Sequence, residues 1–298
     1  MDCNSNKLSI ILPARNEAVP LTKLLPNLLE LFPEAEIIVV NDGSTDATES
    51  TAKAAGVHVV THPYPMGNGA AIKSGARAAT RAILVFLDAD GQHKPEDIPT
   101  LLARLDGGVD MVVGSRSRGS QAGMHRAVAN DLFSRFASWM VSQRIEDLTS
   151  GFRIVRAEKF KKFLYLLPNG FSYPTTITMS FFRAGYGVAY VPIDSPRRSG
   201  RSHIRPIRDG LRFLMIILKI GTLYSPQRLF LPVSAGFFLL GLGYYGYTFW
   251  HAGRFTNMSA LLLISAILTF LIGIVSEQIS ALHYKDIDAG QGNKQSDT

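Results

Sequence analysis

The chain has 298 residues, of which 46% are hydrophobic and 18% charged, and its mean hydropathy is +0.11. This apolar content excludes collagen-like, low-complexity and disordered chains, which cannot bury enough apolar surface to offset chain entropy. The single cysteine, Cys3, excludes an internal disulfide framework and a cysteine-based zinc cluster. The polar start at residues 1–7 has no apolar signal-peptide core, so we expect the N-terminal part to be cytoplasmic.

The net charge of +7 is unevenly distributed along the chain. Residues 116–228 carry 19 Lys/Arg against 6 Asp/Glu, whereas the remainder carries 12 against 18. A basic block beside apolar segments indicates a phosphate-rich partner. An anionic membrane fits this charge better than nucleic acid, because no nucleic-acid motif accompanies it.

The first half alternates strand and helix patterns. Short runs rich in Ile and Val predict strands over 7–12, 36–40, 57–61, 82–87 and 109–114. Helical spacing predicts helices over 19–31, 47–55, 69–81 and 95–105. Asp46, with Glu49 three residues later, predicts a capping box at the start of the second helix. This alternation predicts an α/β fold with a mostly parallel sheet covered on both faces, and ligands beyond the carboxyl ends of its strands.

The middle of the chain is less regular. We predict helices over 127–143 and 173–184 and strands over 151–156 and 187–193. A basic loop then precedes a nearly all-apolar helical stretch, 210–223. Its composition suits a helix lying in a membrane interface, with a buried soluble helix as the alternative.

Two long apolar segments follow. Residues 229–250 and 258–276 contain no charged side chain, and each can cross the roughly 30 Å hydrocarbon layer of a bilayer. The short gap between them predicts a helical hairpin, and the positive charges before it place the large domain on the cytoplasmic side. The predicted divisions are a domain at 1–195, a juxtamembrane region at 196–228, two spans within 229–284 (229–250 and 258–277) and a disordered tail at 285–298.

The sharpest local signal is Asp88-Ala89-Asp90, which closes a strand-like apolar run. Two carboxylates at a strand end can bind one hard divalent cation, and Gln92 can add a third ligand. Such a cation would offset charge on a leaving nucleoside diphosphate. His93 is close by, and we expect it to be structural or exposed.

Polar motifs also follow the neighbouring predicted strands. Asp42 follows the second strand, placed to accept a hydrogen bond from a base or ribose, and Pro13, Arg15 and Glu17 follow the first. Gly69 opens a predicted helix, where a phosphate can approach the backbone. The segment at residues 67–71 is not the dinucleotide motif G-x-G-x-x-G, and the P-loop motif is absent from the sequence, so nicotinamide and P-loop chemistry lose their main support.

Taken in order, LPARNE, VVNDGSTD, GNGAAIKSG and FLDADGQHKPEDI resemble the family 2 glycosyltransferases of the GT-A fold. GSR at 114–116, DLTSGFR at 147–153 and GRSH at 200–203 narrow the resemblance to the polyprenyl-phosphate glycosyltransferase branch. The resemblance covers about residues 7–215, and the hairpin fits membrane-anchored members. It implies a Rossmann-like GT-A nucleotide-diphospho-sugar transferase domain followed by an interfacial helix and a two-helix transmembrane hairpin.

The resemblance also implies site residues. Mg²⁺ or Mn²⁺ would be held by Asp88, Asp90 and Gln92. The nucleotide sugar would contact Pro13, Arg15, Glu17, Asp42, Gly69, Asp88, Ala89 and Asp90. The acceptor phosphate would contact Arg116, Arg126, Asn130, Arg198, Arg201 and His203, with His203 standing where the family has lysine and Asn130 where it often has serine. The catalytic set would be Asp88, Asp90, Arg116 and Asp147.

The implied activity is inverting transfer of one sugar from a UDP- or GDP-sugar to polyprenyl or dolichyl phosphate at the cytoplasmic membrane face. Because the acceptor is already anionic, the site must bring two anions together rather than supply a strong base. The main alternative is transfer to a lipid hydroxyl such as diacylglycerol, with Asp147 as the candidate base. A processive polysaccharide synthase would carry Q-x-x-R-W, which is absent here. A non-catalytic scaffold and a homo-oligomer are left open by the sequence.

Overall fold

The computed structural model describes residues 5–116, 134–170, 173–193, 218 and 221–292. Contacts divide the chain into two compact units. The first comprises Met1–Trp139 and Gln143–His203, and the second Met140–Ser142 and Ile204–Thr298.

The first unit is built on a seven-stranded sheet in the order β3-β2-β1-β4-β6-β5-β7. Neighbouring strands pair in parallel, except that β6 runs antiparallel to both β4 and β5. The strands are β1 (Leu8–Ala14), β2 (Glu36–Asn41), β3 (His58–Thr61), β4 (Ile83–Phe86), β5 (Met111–Arg116), β6 (Arg153–Arg156) and β7 (Val188–Ile193). The mostly parallel α/β sheet predicted from the sequence is confirmed.

Among the described residues of this unit, six helices with defined bounds lie between the strands. They are α1 (Ala18–Leu31), α2 (Thr48–Ala54), α3 (Asn68–Ala78), α4 (Ile98–Asp106), α5 (Ala157–Lys161) and α6 (Tyr173–Arg183). Short 3₁₀ turns at Ser5–Lys7 and Pro95–Asp97 precede β1 and α4, and residues 134–141 are also helical. The predicted strands and helices of the first half are present, with ends shifted by no more than three residues. The predicted basic loop at 196–208 lies outside the described residues, as does most of the predicted helix at 210–223.

The continuous apolar runs of the strands reflect burial on both faces of the sheet. Residues Leu8–Leu12 of β1 are almost completely buried. Helix α1 covers this region with four buried leucines at helical spacing: Leu21, Leu24, Leu25 and Leu28. A strand covered by helices on both sides cannot alternate with polar residues, because each face meets apolar side chains.

The capping box predicted at Asp46 is only partly present. Asp46 Oδ1 accepts a hydrogen bond from the Thr48 amide (3.0 Å), and Oδ2 accepts one from the Ala18 amide (3.2 Å). Glu49 does not complete the box, since its carboxylate accepts hydrogen bonds from Lys53 Nζ and from the amide side chain of Asn41. A charged ammonium one turn away is a stronger donor than a backbone amide. Asp46 therefore joins the start of α2 to the start of α1.

The second unit contains a hairpin of two long helices, α7 (Pro226–Ala252) and α8 (Asn257–Gly292). Both are long and apolar enough to cross a membrane, with mean hydropathies of 1.5 and 2.6 over their best 18-residue windows. Only 11% and 17% of those windows are buried, whereas a core helix of a soluble protein is mostly buried. The two apolar segments found in the sequence thus form helices with outward-facing apolar side chains.

Small residues let the two hairpin helices pack closely. A side chain at Gly241 would meet Leu262 and Leu263, and one at Gly273 would meet Phe230. The hydroxyl of Ser234 donates to the Ala266 carbonyl (2.8 Å). A buried hydroxyl in an apolar helix pair needs such a partner, and the short distance between the helices supplies it.

Helix α8 extends beyond the end predicted for the second span at 277. It continues to Gly292 and so covers part of the segment 285–298, for which the disordered tail stays a prediction. The physical reason for the extension is that residues 277–289 contain no proline or glycine, and an established helix adds further turns at low cost.

Helix α3 packs on the sheet at Gly75, where a β-carbon would press on Ile11 and lie 3.1 Å from Val40 Cγ2. We expect Gly75→Ala to destabilise the protein by about 1–3 kcal/mol, because overpacking outweighs the better helix propensity of alanine. A lowered midpoint of thermal unfolding measures this effect. Gly236→Ala in α7 is the matched control, since its β-carbon would meet nothing within 4 Å. Equal midpoints for the two variants would contradict the tight packing.

Candidate active site

Three polar motifs meet at one edge of the sheet. Strands β2, β1 and β4 are adjacent and parallel, so the segments that follow them leave the sheet on the same side. These segments are 13–17 after β1, 42–46 after β2 and 88–93 after β4. The sequence motifs with the strongest chemical content are therefore neighbours in space, at the edge where parallel sheets bind their ligands.

Asp88 and Asp90 are partly exposed, whereas Ala89 between them is 2% exposed and belongs to the hydrophobic core. The buried Ala89 side chain anchors the motif to the core, and the carboxylates of Asp88 and Asp90 stay at the surface. The Gln92 amide donates to Asp90 Oδ1 (3.1 Å), across Gly91 with a φ of 73°. Gln92 therefore follows the two carboxylates closely along the chain, within the same tight turn.

The donor set at this turn fits a hard divalent cation. Two partly exposed carboxylates and one amide supply oxygen ligands, which Mg²⁺ and Mn²⁺ prefer. Among the described residues there is no group of three or more His, Cys, Asp or Glu that could hold a metal. An ion held by this turn would take further ligands from water and from the oxygens of a bound ligand.

Asp88 has close contacts on two sides. His93 Nε2 lies 3.4 Å from Asp88 Oδ2, and the His93 ring packs against Phe152 with 5.2 Å between ring centroids. A β-carbon on Gly151 would lie 2.7 Å and 2.9 Å from the two carboxylate oxygens of Asp88. His93 is 7% exposed, so it is not the exposed histidine that we considered from the sequence. Gly151 lies in the DLTSGFR motif at 147–153, but the sequence alone does not show that it borders Asp88.

Asp147 caps the turn that leads into β6. It is almost completely buried, and its Oδ1 accepts hydrogen bonds from the Thr149 amide (2.9 Å), the Ser150 amide (3.1 Å) and the Thr149 hydroxyl (3.1 Å). A carboxylate used in this way fixes the backbone of its own turn. The structure thus gives Asp147 a structural position rather than that of an open general base.

Arg153 places a positive charge in the interior, next to this turn. It is fully buried, donating from Nε to the Ser150 carbonyl (2.8 Å) and from Nη1 to the Thr178 hydroxyl (2.7 Å). Burial lowers the pKa of the guanidinium, whereas nearby phenols and the carboxylates of Asp147 and Asp88 act to raise it. The Asp88-Ala89-Asp90 turn therefore has a buried guanidinium close to it, and the sequence alone did not reveal this.

Asp42 is clamped by three hydrogen bonds. Its Oδ1 accepts from His62 Nδ1 (2.7 Å) and the Met66 amide (2.8 Å), and its Oδ2 accepts from the Gly67 amide (2.8 Å). His62 Nε2 in turn lies 2.9 Å from the Ser74 hydroxyl. Since the carboxylate only accepts, His62 Nδ1 carries a proton. Asp42 therefore holds the loop after β3 onto the end of β2.

The segment after β1 is tied to the segment after β2. The Asn16 amide donates to the Ser44 hydroxyl (3.0 Å), and Asn16 Oδ1 accepts from the Thr45 amide (2.9 Å). Asn16 has a φ of 57°, a left-handed conformation that asparagine tolerates well. This connection holds the predicted donor-binding side chains at the edge of the site, with Arg15 exposed and Pro13 and Glu17 partly exposed.

Gly69 does not lie open to a ligand. A side chain there would clash with the Pro168 carbonyl and lie 2.8 Å from the Gly170 carbonyl. The Ala70 amide already donates to the Asn169 carbonyl (3.1 Å). The absent side chain thus allows two main-chain segments to pack, and the approach of a phosphate to Gly69 stays a prediction.

Of the residues predicted to bind the acceptor phosphate, the structure describes only Arg116. Arg116 is the last residue of β5, where it pairs with Ile193 of β7, and nothing further is described for its side chain. The remaining five lie outside the described residues: Arg126, Asn130, Arg198, Arg201 and His203. Their roles stay predictions.

The Asp42 clamp gives a pH-dependent prediction. Burial by itself raises the pKa of the Asp42 carboxyl, but hydrogen bonds from His62, Met66 and Gly67 outweigh it and hold the pKa below its ordinary 3.8. The carboxylate therefore stabilises the fold above pH 3.8, and this contribution is lost as pH falls through the folded-state pKa.

We expect Asp42→Asn to lower the thermal midpoint at pH 6, with a difference from wild type that shrinks below pH 3.8. The measurement is a series of thermal unfolding curves between pH 6 and pH 3 for both proteins. Asp106→Asn, at an exposed position of α4, is the control and should show no comparable difference. A constant Asp42→Asn deficit across this range would contradict the role of the charge.

Comparison with known proteins gives two family matches. Residues 9–164 match glycosyl transferase family 2, and residues 225–282 match the GtrB C-terminal hairpin. The first match spans the sheet from β1 to the residues after α5 and includes the D-x-D turn. The second spans α7 and most of α8.

Relatives and solved structures agree with the first match. The dolichyl-phosphate hexose transferase of Haloferax volcanii is 27% identical over 216 residues, covering 72% of this chain and 93% of that protein. The polyprenol monophosphomannose synthase of Mycolicibacterium smegmatis is 29% identical over 204 residues, covering 63% and 77%. Glucosyl-3-phosphoglycerate synthase from Mycobacterium tuberculosis, in complex with Mn²⁺, UDP-glucose and phosphoglyceric acid, shares the fold with a TM-score of 0.57 and 23% identity, covering 72% of this chain and 79% of that one. This chain belongs to glycosyl transferase family 2, and it is a GT-A glycosyltransferase with a C-terminal hairpin of two apolar helices.

Proposed function

We propose that this enzyme transfers a single sugar, with inversion, from a UDP- or GDP-sugar to polyprenyl or dolichyl phosphate. The observation that carries the proposal is the Asp88-x-Asp90 turn at the ligand edge of a chain that also has two membrane-length helices. The first feature suits a nucleotide diphosphate with its cation, and the second suits a lipid acceptor. Relatives named for dolichyl-phosphate hexose transfer and polyprenol monophosphomannose synthesis support the same class.

The donor is bound in this proposal at the edge formed by the ends of β1, β2 and β4. Asp88, Asp90 and Gln92 would hold Mg²⁺ or Mn²⁺, which offsets charge on the leaving diphosphate when bound. A neighbour of the same fold has been solved with Mn²⁺ and UDP-glucose, which supports this cation class. The nucleotide would be contacted by Pro13, Arg15, Glu17, Asp42 and Ala89. Asp42 contributes by fixing the loop, because its oxygens already accept three hydrogen bonds.

The acceptor in this proposal is a lipid phosphate rather than a lipid hydroxyl. A hydroxyl nucleophile needs a general base, and the candidate base Asp147 is buried and accepts hydrogen bonds from its own turn. A phosphate is already anionic and needs cationic groups to approach the donor. The basic block supplies these in the form of Arg116, Arg126, Arg198 and Arg201, aided by Asn130 and His203.

The hairpin anchors the enzyme in the membrane that holds its acceptor. Arg228 near the start of α7 donates to the Met140 carbonyl (3.1 Å) and the Ser142 hydroxyl (2.7 Å). The loop between the helices carries only Arg254, so the excess of positive charge before α7 favours a cytoplasmic catalytic domain. In this proposal residues 1–195 are catalytic, 196–228 are juxtamembrane and the spans lie within 229–284.

The test is to incubate the purified full chain with Mn²⁺, a short polyprenyl phosphate and a panel of UDP- and GDP-sugars. Mass spectrometry of the lipid fraction should show one product, the acceptor phosphate carrying a single sugar. Dephosphorylated polyprenol and diacylglycerol are offered in parallel. Product formed on these and not on the phosphate would overturn the proposal in favour of the hydroxyl alternative, and a polymer would overturn single transfer.

We expect Asp90→Asn to reduce the rate of transfer by about 100-fold or more, the range seen when a charge-stabilising group is removed from an active site. Asparagine keeps an oxygen that can accept the Gln92 amide, so the turn is retained while the charge is lost. Initial rates of lipid-linked product measure the effect. Asp106→Asn on the exposed face of α4 is the control and should retain the wild-type rate. Wild-type rates in Asp90→Asn would exclude a metal role for this residue.

A further inference from the structure

The carboxylate of Asp88 is enclosed by two separate segments of the chain. His93, on the loop after β4, reaches Oδ2 with Nε2 at 3.4 Å. Gly151, in the turn before β6, leaves so little room that a β-carbon would lie 2.7 Å from Oδ2 and 2.9 Å from Oδ1. Real β-carbons do not approach this closely, so the position of the carboxylate depends on glycine at 151.

The proton on the His93 ring can be assigned from its surroundings. Nδ1 is buried and has no hydrogen-bond partner among the described residues, whereas Nε2 faces a carboxylate that can only accept. A neutral imidazole carries one proton, and the carboxylate favours it on Nε2. With its proton on Nε2, the His93 ring turns an N–H group toward the Asp88 carboxylate.

The two contacts are joined through Phe152. Its ring packs against the His93 ring at 5.2 Å, and its side chain is fully buried in the core. Phe152 follows Gly151 directly, so the same turn that contacts the carboxylate also supports the histidine. Asp147 and Arg153 hydrogen-bond within this segment and hold its backbone in place.

We propose that His93 and Gly151 are positioning residues that hold the Asp88 carboxylate in the orientation required to bind the divalent cation. This inference rests on the proposed function, since it takes Asp88 as a ligand of that cation. Groups in contact with metal-binding side chains fix the orientation of those ligands, and their loss typically weakens metal affinity by about 10- to 100-fold. His93 therefore acts on the metal only through Asp88, and Gly151 acts by leaving space.

The experiment measures Mn²⁺ affinity directly, by electron paramagnetic resonance of free Mn²⁺ during titration of the full chain in the presence of UDP or GDP. We expect His93→Ala and Gly151→Ala each to weaken Mn²⁺ binding by roughly 10- to 100-fold. His93→Gln retains a side-chain N–H donor and should recover part of the loss. Gly170→Ala is the matched control for Gly151, because its β-carbon would meet nothing within 4 Å, and its Mn²⁺ affinity should equal that of wild type.

A second readout separates positioning from general damage. Binding of UDP or GDP without metal should change little in His93→Ala and Gly151→Ala, because neither residue is assigned to the nucleotide. If His93→Ala does not fold, His93→Gln and Gly151→Ala still test the inference through the same titration. Wild-type Mn²⁺ affinity in the folded variants would overturn it, as would equal loss of metal-free nucleotide binding.

The outcome also distinguishes this inference from the proposed function. A wild-type chain that binds Mn²⁺ with UDP or GDP, yet forms no lipid-linked sugar, would overturn the acceptor assignment and leave the positioning role supported by the variants. A wild-type chain that transfers sugar to polyprenyl phosphate, yet has variants of unchanged Mn²⁺ affinity, would overturn the positioning role alone. A wild-type chain with no Mn²⁺ affinity would overturn the positioning role whatever it transfers.

Discussion

The parallel pairing of β4 with β1 is the interaction on which the candidate site depends. Its register places Phe86 opposite Ile11, and the Leu87 amide continues the ladder by donating to the Ile11 carbonyl (3.1 Å). The chain therefore leaves the sheet at Asp88, beside the end of β1. Buried apolar strands fix this register strongly, because a slip of one residue would turn core side chains toward solvent. The acidic turn owes its place to hydrophobic packing rather than to any attraction between its own charged groups.

Acidic groups at such an edge repel one another, and buried groups next to the edge offset this repulsion. Arg153 is buried behind the turn, with Asp147 and Asp88 among the groups whose charge opposes its desolvation. A buried guanidinium is costly unless its surroundings are negative, so the cation and the carboxylates stabilise each other. The Asp147 carboxylate accepts hydrogen bonds from backbone amides of the turn that carries Gly151. One short segment thus supplies both the compensating charge and the space in which the Asp88 carboxylate lies.

The sequence was enough to predict the α/β sheet and the D-x-D turn, because both depend on local patterns: apolar strand runs, helical spacing and a polar residue at each strand end. The antiparallel position of β6 between β4 and β5 could not be predicted from the sequence, because a four-residue strand gives no indication of its partners. His93 was ambiguous because its burial is decided by Phe152, which is distant in sequence. The close packing of Gly69 was not foreseen, because the main chain that covers it comes from residues 168–170. Long-range contacts, not local propensity, decided each of these positions.

The proposed chemistry assigns different physical tasks to the two units. Joining two anions requires cationic groups and a fixed geometry, and a rigid sheet edge provides the geometry because its side chains are held by core packing. A lipid phosphate, in contrast, stays in the membrane, so the enzyme must be held there rather than capture the acceptor from solution. In this proposal, helices whose apolar side chains face outward over most of their length meet that need. In this proposal, the positive charge concentrated between residues 116 and 228 would face the acceptor phosphate and the anionic headgroups around it.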